Sequence, residues 1–292
     1  MLYDVALKIS YTYEAQADAG RHLLRLVPMD IPGEQRLIAG ALDVLPKPAE
    51  WLNRTDFFGN PVVEIAFDAP HGDLIFKVVA RVERLATVAA FDVSPRPADL
   101  AREIDAYRGL DPRAPHHFTA PSARAPGNIE IADYARQATA EAGTARAAVE
   151  ALGLALHRDM RYDPEATTVE TSAAEAFAYR HGVCQDFSHV MITGLRAIGI
   201  PAGYVSGFLR TIPPKGKPRL EGADAMHAWV MAWCGFETGW LEYDPTNAMW
   251  VGTDHIVIAR GRDYYDVAPV KGIMRTSGAQ TSEQSVDVKP LG

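Results

Sequence analysis

Cysteine is nearly absent from this sequence: Cys184 and Cys234 are the only two in 292 residues. Two thiols cannot form a disulfide framework, so a reducing, cytoplasmic setting is expected. Clusters of positive charge are missing as well. Lys and Arg number 29 against 37 Asp and Glu, for a net charge of −8 and a pI near 5.6. The basic residues are scattered, so no face is prepared to neutralise phosphates and no nucleic-acid partner is expected; the acidic balance suits solubility better than a cationic substrate. No stretch of about 18 apolar residues occurs, and the opening Met1-Leu-Tyr-Asp-Val-Ala-Leu-Lys has neither a charged n-region nor an apolar h-region. Neither membrane insertion nor secretion is therefore expected. Internal repeats, low-complexity tracts, an Asp-x-Asp-x-Asp calcium loop and the Cys-x-x-Cys spacing of structural zinc are all lacking, so no metal and no cofactor is expected.

What is present is an ordinary globular composition, 48% apolar and 23% charged, in a chain long enough for more than one core. Residues 1–95 alternate in short runs, as in Tyr3-Asp-Val-Ala-Leu-Lys-Ile-Ser-Tyr and Asp73-Leu-Ile-Phe-Lys-Val-Val-Ala-Arg-Val. Turn signals such as Asp30-Ile-Pro-Gly and Phe58-Gly-Asn-Pro break them, which predicts an antiparallel β-sandwich-like domain. Repeated X-Pro dipeptides over 96–128 predict an extended connector. From 129 to 275 a second, mixed region follows, Ala-rich and helical up to Arg158. Residues 276–292 read as a C-terminal tail. The fold class is α+β.

Thr171-Ser-Ala-Ala-Glu predicts a capped helix with Glu175 placed for a capping box. A longer helix is expected to begin at Cys184, with Phe187, Val190, Met191, Leu195 and Ile198 on one apolar face, and to stop at Gly199 and Pro201. Cys184 then sits at a helix start, where unpaired N–H groups and the dipole favour a thiolate. Downstream the period changes to two. If residues 226–233 and 238–245 form a hairpin with Trp233 opposite Thr238, His227 falls opposite Asp244 on the same side of the sheet, with Cβ atoms within about 5.5 Å. A thiol, an imidazole and a carboxylate so placed are the parts of a nucleophilic site: the imidazole takes the thiol proton and returns it to a leaving amine, while the carboxylate orients the imidazole. The Cys184 N–H could donate to an oxyanion.

Tyr179-Arg-His-Gly-Val-Cys-Gln-Asp-Phe-Ser-His-Val-Met-Ile, Gly199-Ile-Pro-Ala-Gly-Tyr-Val-Ser-Gly, Met226-His-Ala-Trp-Val and Tyr243-Asp-Pro-Thr-Asn together resemble the core of the transglutaminase-like superfamily, in its bacterial cysteine-protease branch. Tyr3 to Tyr13 and Leu24-Arg-Leu-Val-Pro are similar to the β-rich domain that precedes this core, and His255-Ile-Val-Ile-Ala with Gly261-Arg-Asp-Tyr-Tyr-Asp to the segment that follows the Asp. The resemblance spans nearly the whole chain. It implies a papain-like core beside the β domain, with Cys184 as nucleophile, His227 as general base and acid, and Asp244 as the orienting carboxylate. Met226 departs from the small polar residue that precedes the histidine in this branch. The activity implied is acyl transfer from a peptide or glutamine-type amide through a thioester, leaning to hydrolysis, with amine cross-linking or a non-catalytic binding module as alternatives. The implied partner is a peptide or protein substrate.

Gln185 and Asp186, in the first turn, are candidates for positioning substrate, although Asp186 could simply complement the helix dipole. Trp229 shares a face with His227 and is a candidate wall of the cleft, with core packing as the plainer role. Cys234 reads as structural, and His189, five residues beyond Cys184, as a core or surface residue. Tyr162, Asp163 and Pro164 occupy a position where the family carries an aromatic. Both cysteines with His227 and Asp244 would make an alternative metal set, which the spacing disfavours.

Overall fold

The computed structural model describes residues 1–86, 91–211 and 224–291; residues 87–90 of the expected β region and 212–223 of the expected core lie outside them. Alternation in the first third becomes six strands: β1 (Leu2–Ala17), β2 (Ala19–Leu24), β3 (Gln35–Leu45), β4 (Glu50–Thr55), β5 (Pro61–Phe67) and β6 (His71–Arg84). Tyr3, Val5, Leu7 and Ile9 of β1 and Leu74, Phe76, Val78 and Val82 of β6 are buried, as a period of two requires when one face of a sheet is covered. The expected connector is not extended throughout. It contains helix α1 (Pro97–Ala106), started by a proline in its first turn, and a 3-10 turn over Pro115–Phe118. X-Pro steps bias the preceding residue away from helix, but proline itself is well placed at a helix start.

The second region opens with α2 (Ile129–Ala138) and α3 (Ala145–Asp159), whose caps Asn128 and Thr144 accept from the Ile131 and Ala147 N–H groups. Next come β7 (Arg161–Tyr162), α4 (Ala173–Tyr179), β8 (His181–Gly182) and α5 (Cys184–Ala197). The expected capping box is present on α4, with Ser172 and Glu175 each accepting from the other's backbone N–H. Strands β9 (Ala202–Leu209), β10 (Ala225–Trp233), β11 (Trp240–Asp244), β12 (Met249–Trp250) and β13 (His255–Gly261) follow, then α6 (Tyr264–Val267), β14 (Val270–Arg275) and β15 (Gln280–Pro290).

These strands form a sandwich and a core sheet. The sandwich sheets run β15-β1-β6-β3 and β14-β2-β5-β4; the core sheet runs β12-β11-β10-β9-β13. His22 of β2 packs edge-on against Phe76 of β6 between the two sandwich sheets. On one side of the core sheet, Tyr204, Val230 and Tyr243 join the buried side chains of α2, α3 and α5; on the other, Val205, Trp229 and Met231 meet Met29, Ile31 and Phe118.

The expected division of the chain needs correction at its end. Residues 276–292 are not a tail: β15 pairs with β1 antiparallel from Tyr3↔Pro290 to Tyr13↔Gln280. Likewise β14, assigned to the core by its position in sequence, pairs with β2. Each sandwich sheet thus takes one of its two outer strands from the C-terminal part of the chain. Polar side chains dominate β15 because most of its residues are exposed, with Val286 and Val288 turned inward, so the apolar signal used to detect strands is weak there. Between the layers, the edge strand β13 is capped by side chains. Gln35 donates to the Val257 carbonyl at 2.8 Å and accepts from the Val257 N–H at 2.8 Å, and Asn60 does the same with Arg260.

Gly153 on α3 lies against the Tyr243 ring, where an added Cβ would stand 2.1 Å from Cε1. Alanine gains about 1 kcal/mol in helix propensity, but overpacking a closed core costs about 1–3 kcal/mol. Gly153→Ala is therefore expected to lower the denaturant midpoint; a raised midpoint would show that Tyr243 can yield.

Candidate active site

The hairpin that carries the histidine and the carboxylate is registered two residues away from the simple expectation. Trp233 lies opposite Trp240 and Val230 opposite Tyr243, because the loop runs from Cys234 to Gly239 and closes with positive φ at Gly235 and Gly239. His227 and Asp244 are consequently not directly opposed. A shift of two residues preserves the face on which each side chain stands, so the pair still meets: His227 Nε2–H donates to Asp244 Oδ2 at 2.8 Å. Nδ1 is left for the Cys184 thiol, which shares a hydrogen bond with the His227 ring. Three residues from α5, β10 and β11 converge, and Cys184, the first residue of α5, remains half-buried rather than closed off.

The orientation of α5 depends on Asp186. Its Oδ2 accepts from the Val183 N–H at 2.8 Å and from the Thr167 hydroxyl at 2.6 Å. Gly182 makes room for this carboxylate, since a Cβ there would lie 2.5 Å from Oδ2. Burial pushes the Asp186 carboxyl upward, against the pull of those two donors. Gln185 is buried too, and its side chain donates to the Val169 carbonyl at 3.2 Å. Trp229 is wholly buried, its indole N–H on Glu242 at 2.8 Å and its ring 6.2 Å from that of His227. The structure thus turns Gln185, Asp186 and Trp229 inward, as supports behind the nucleophile and the imidazole.

Asp244 is fully buried and accepts five hydrogen bonds. Besides His227, its Oδ2 takes Asn247 Nδ2–H at 2.7 Å and His255 Nε2–H at 3.2 Å, and its Oδ1 takes the N–H groups of Thr246 at 3.0 Å and Asn247 at 3.2 Å. Burial alone would raise its carboxyl; the donations from His227 and His255, the His227 charge and Asn247 outweigh burial and hold it well below the usual range. For His227, burial opposes the charged form, yet hydrogen bonds to Asp244 and Cys184 push it up to about 10. His255 Nδ1 accepts from the Gly252 N–H at 3.4 Å, which fixes the tautomer whose Nε2 faces Asp244. Sequence reasoning quoted Asn247 and His255 within longer motifs but gave them no role, because nothing local joins residue 255 to residue 244. On the open side, Tyr162 pairs with Gly182 across β7 and β8 and stays 55% exposed.

His227, Asp244 and His255 place their ligand atoms within 4.8 Å of one another, a spacing a divalent ion could bridge. Cys234 cannot join such a set. It lies seven residues along β10 from His227, roughly 23 Å at a strand's rise, and is buried at the far end. His189 is buried, its Nε2 accepting from the Tyr264 N–H at 3.2 Å.

With these elements in place, comparison with known proteins identifies the class. The transglutaminase-like superfamily core matches residues 132–245, and the bacterial transglutaminase-like N-terminal region matches residues 3–83. An uncharacterized protein of Mycobacterium tuberculosis is 35% identical over 276 residues, 88% of this chain and 83% of that protein. The chain belongs to the transglutaminase-like superfamily and carries the bacterial N-terminal region. A protein-glutamine gamma-glutamyltransferase of Pseudomonas aeruginosa is 36% identical over 124 residues, 40% of this chain but 17% of that protein. Among solved structures, a candidate cysteine protease from Cytophaga hutchinsonii superposes with a TM-score of 0.74 at 20% identity, over 100% of this chain and 91% of that one. It shares the fold.

Two outcomes follow from the site. Iodoacetamide should modify half-buried Cys184 in the folded protein and spare Cys234, whose thiol burial pushes up to about 12; peptide mass mapping reads both, and labelling of Cys234 at equal rate would contradict this packing. The raised His227 contributes stability that is complete below its ordinary value of 6.5 and is lost as pH climbs through about 10; the depressed Asp244 contributes stability present above 3.8 and lost on acidification below it. The Tm gap between wild type and His227→Gln should accordingly be widest between pH 3.8 and 6.5 and narrow toward pH 10. A gap that widens with rising pH would reverse the sign of the coupling.

Proposed function

We propose that this chain is a cysteine-dependent acyl-transfer enzyme that acts on peptide or glutamine-type amides and hands the acyl group to water. The observation that carries the reading is the His227 ring held between two partners, Nε2 on Asp244 at 2.8 Å and the opposite side on Cys184. In the forward step, His227, held in its charged form at neutral pH, already carries the thiol proton on Nδ1, and the Cys184 sulfur attacks as the thiolate to bond to the amide carbon. Collapse of the tetrahedral adduct breaks the C–N bond, and the proton moves from His227 to the departing amine. Asp244 holds the tautomer and favours the imidazolium. The Cys184 N–H, in the first turn where no intrahelical carbonyl reaches it, supplies an oxyanion donor. Water, deprotonated by His227, then attacks the thioester carbon; the C–S bond breaks, the acid is released, and the proton stays with the Cys184–His227 pair, which is restored.

Hydrolysis is favoured because Cys184 is half-buried beside the exposed Tyr162 ring, so solvent reaches the thioester. Transfer to an amine is the second reading, favoured by the likeness of residues in the core to the Pseudomonas aeruginosa gamma-glutamyltransferase. Both use the same acyl-enzyme. The proposed setting is the reducing cytoplasm, with both thiols free.

The test is a mass-spectrometric assay of glutamine-containing peptides with and without a primary amine acceptor. Wild type should convert carboxamide or peptide bond to carboxylate; Cys184→Ala should abolish turnover, and Asp244→Asn should lower kcat/KM by roughly 10²–10⁴-fold. An amine adduct outgrowing the acid would replace hydrolysis by transamidation. Turnover unaffected by Cys184→Ala would remove the nucleophile from the mechanism and leave a binding module on this scaffold.

A further inference from the structure

A cavity of about 470 Å³ opens where the sandwich meets the connector and α6, and none of Cys184, His227 and Asp244 lines it. Its wall carries three cations, Arg25, Arg262 and Lys271, and two carboxylates, Asp56 and Asp266; the rest is Leu23, His117 and the rings of Phe57, Phe58 and Tyr265. The wall is thus one positive charge in excess, on a chain whose net charge is −8. Both carboxylates are already engaged. Asp56 Oδ1 accepts from the N–H groups of Phe58 and Asn60, each at 3.0 Å, and its Oδ2 from Arg25 Nε at 2.9 Å and Asn60 Nδ2 at 3.0 Å. Asp266 clasps Arg262, its Oδ2 accepting from the backbone N–H and Nε and its Oδ1 from Nη2.

Donors, by contrast, are left over. Arg25 is 8% exposed, and among the described residues only its Nε is bonded, with Nη1 buried and without a partner. His117 Nε2, on the 3-10 turn, is likewise buried without a partner. Lys271 has no carboxylate partner among the described residues, and its Nζ rests 3.1 Å over the Tyr265 ring. Buried polar groups without partners are costly, and hydrogen bonds to an oxyanion are among the stronger ones that could satisfy them. Beside these donors stands an uncovered ring: Phe57 is 58% exposed, held edge-on 5.0 Å from Phe58 and 5.1 Å from His117. A flat ring laid on it would gain buried area and ring contact together. We propose that this cavity binds a small aromatic carboxylate, its anion held by Arg25, His117 and Lys271 and its ring laid against Phe57. A single negative charge matches the single excess cation, whereas a dianion would leave one charge desolvated without compensation.

Calorimetric titration of the full chain with four probes tests the assignment: 2-naphthoate, neutral 2-naphthalenemethanol, ring-saturated cyclohexanecarboxylate and 2-naphthyl phosphate. Naphthoate should bind one to one, and each of the other three roughly tenfold or more weakly. Lys271→Met and Phe57→Ala, neither in the packed core, should each weaken naphthoate by about tenfold, while Cys184→Ala should leave its affinity unchanged. Arg25→Gln should weaken it further, with a melting curve to separate loss of the site from loss of the fold. Absence of naphthoate binding at millimolar concentration, or full affinity in both Lys271→Met and Phe57→Ala, would overturn the site. Equal affinity for the alcohol would overturn the anion, equal affinity for cyclohexanecarboxylate the ring, and tighter binding of the phosphate the single charge. Affinity lost in Cys184→Ala would overturn the location by moving the ligand to the active site.

Discussion

A buried carboxylate is the constraint around which the site is built. Asp244 has no solvent to stabilise its charge, so it persists only because five donors surround it. Those donors come from three separate parts of the chain: β10, the turn after β11, and the first residue of β13. Satisfying Asp244 therefore fixes the positions of His227, Asn247 and His255 at once, and with His227 the direction from which Cys184 must arrive. His255 acts through Asp244, which it keeps ionised and aimed.

Behind this hub lies a second layer of directional contacts. The Trp229 indole donates to Glu242, and Glu242 accepts from Arg260, which also pairs with Glu34 of the sandwich side. Gln35 and Asn60 pair with Val257 and Arg260 on the outer edge of buried β13 in the manner of a neighbouring strand. A sheet edge is normally a liability; here it becomes the seam that joins sandwich and core. Because β14 and β15 return to the sandwich after the core is complete, the chain closes on itself.

Much of this was legible in advance where the signal was local. The β-rich start, the Cys184 helix and the Ser172 capping box follow from spacing of two, from spacing of three and four, and from cap chemistry. The His227–Asp244 pairing was legible even though the register was not: the loop is six residues rather than four, and the even shift left both side chains on one face. The polar strand β15 was missed because its exposed side chains carry no alternating apolar signal, and its partner β1 lies at the other end of the sequence. Trp229 was read as a candidate wall of the cleft because spacing reports a face, and Gln185 and Asp186 as candidates for positioning substrate because they follow the cysteine in the first turn, whereas burial depends on what is packed over them.

By itself the sequence determined the residue types, the helix that begins at a cysteine, the face shared by an imidazole and a carboxylate, and through its motifs the superfamily. These are properties of neighbours along the chain, where periodicity and capping act over a few residues. Tertiary structure alone decided that His255 completes the hydrogen bonding of Asp244 and that the C-terminal strands β14 and β15 finish the two sandwich sheets. Each joins segments far apart in the chain, and such contacts are set by packing, by the need to pair every buried polar group, and by the closure of sheet edges.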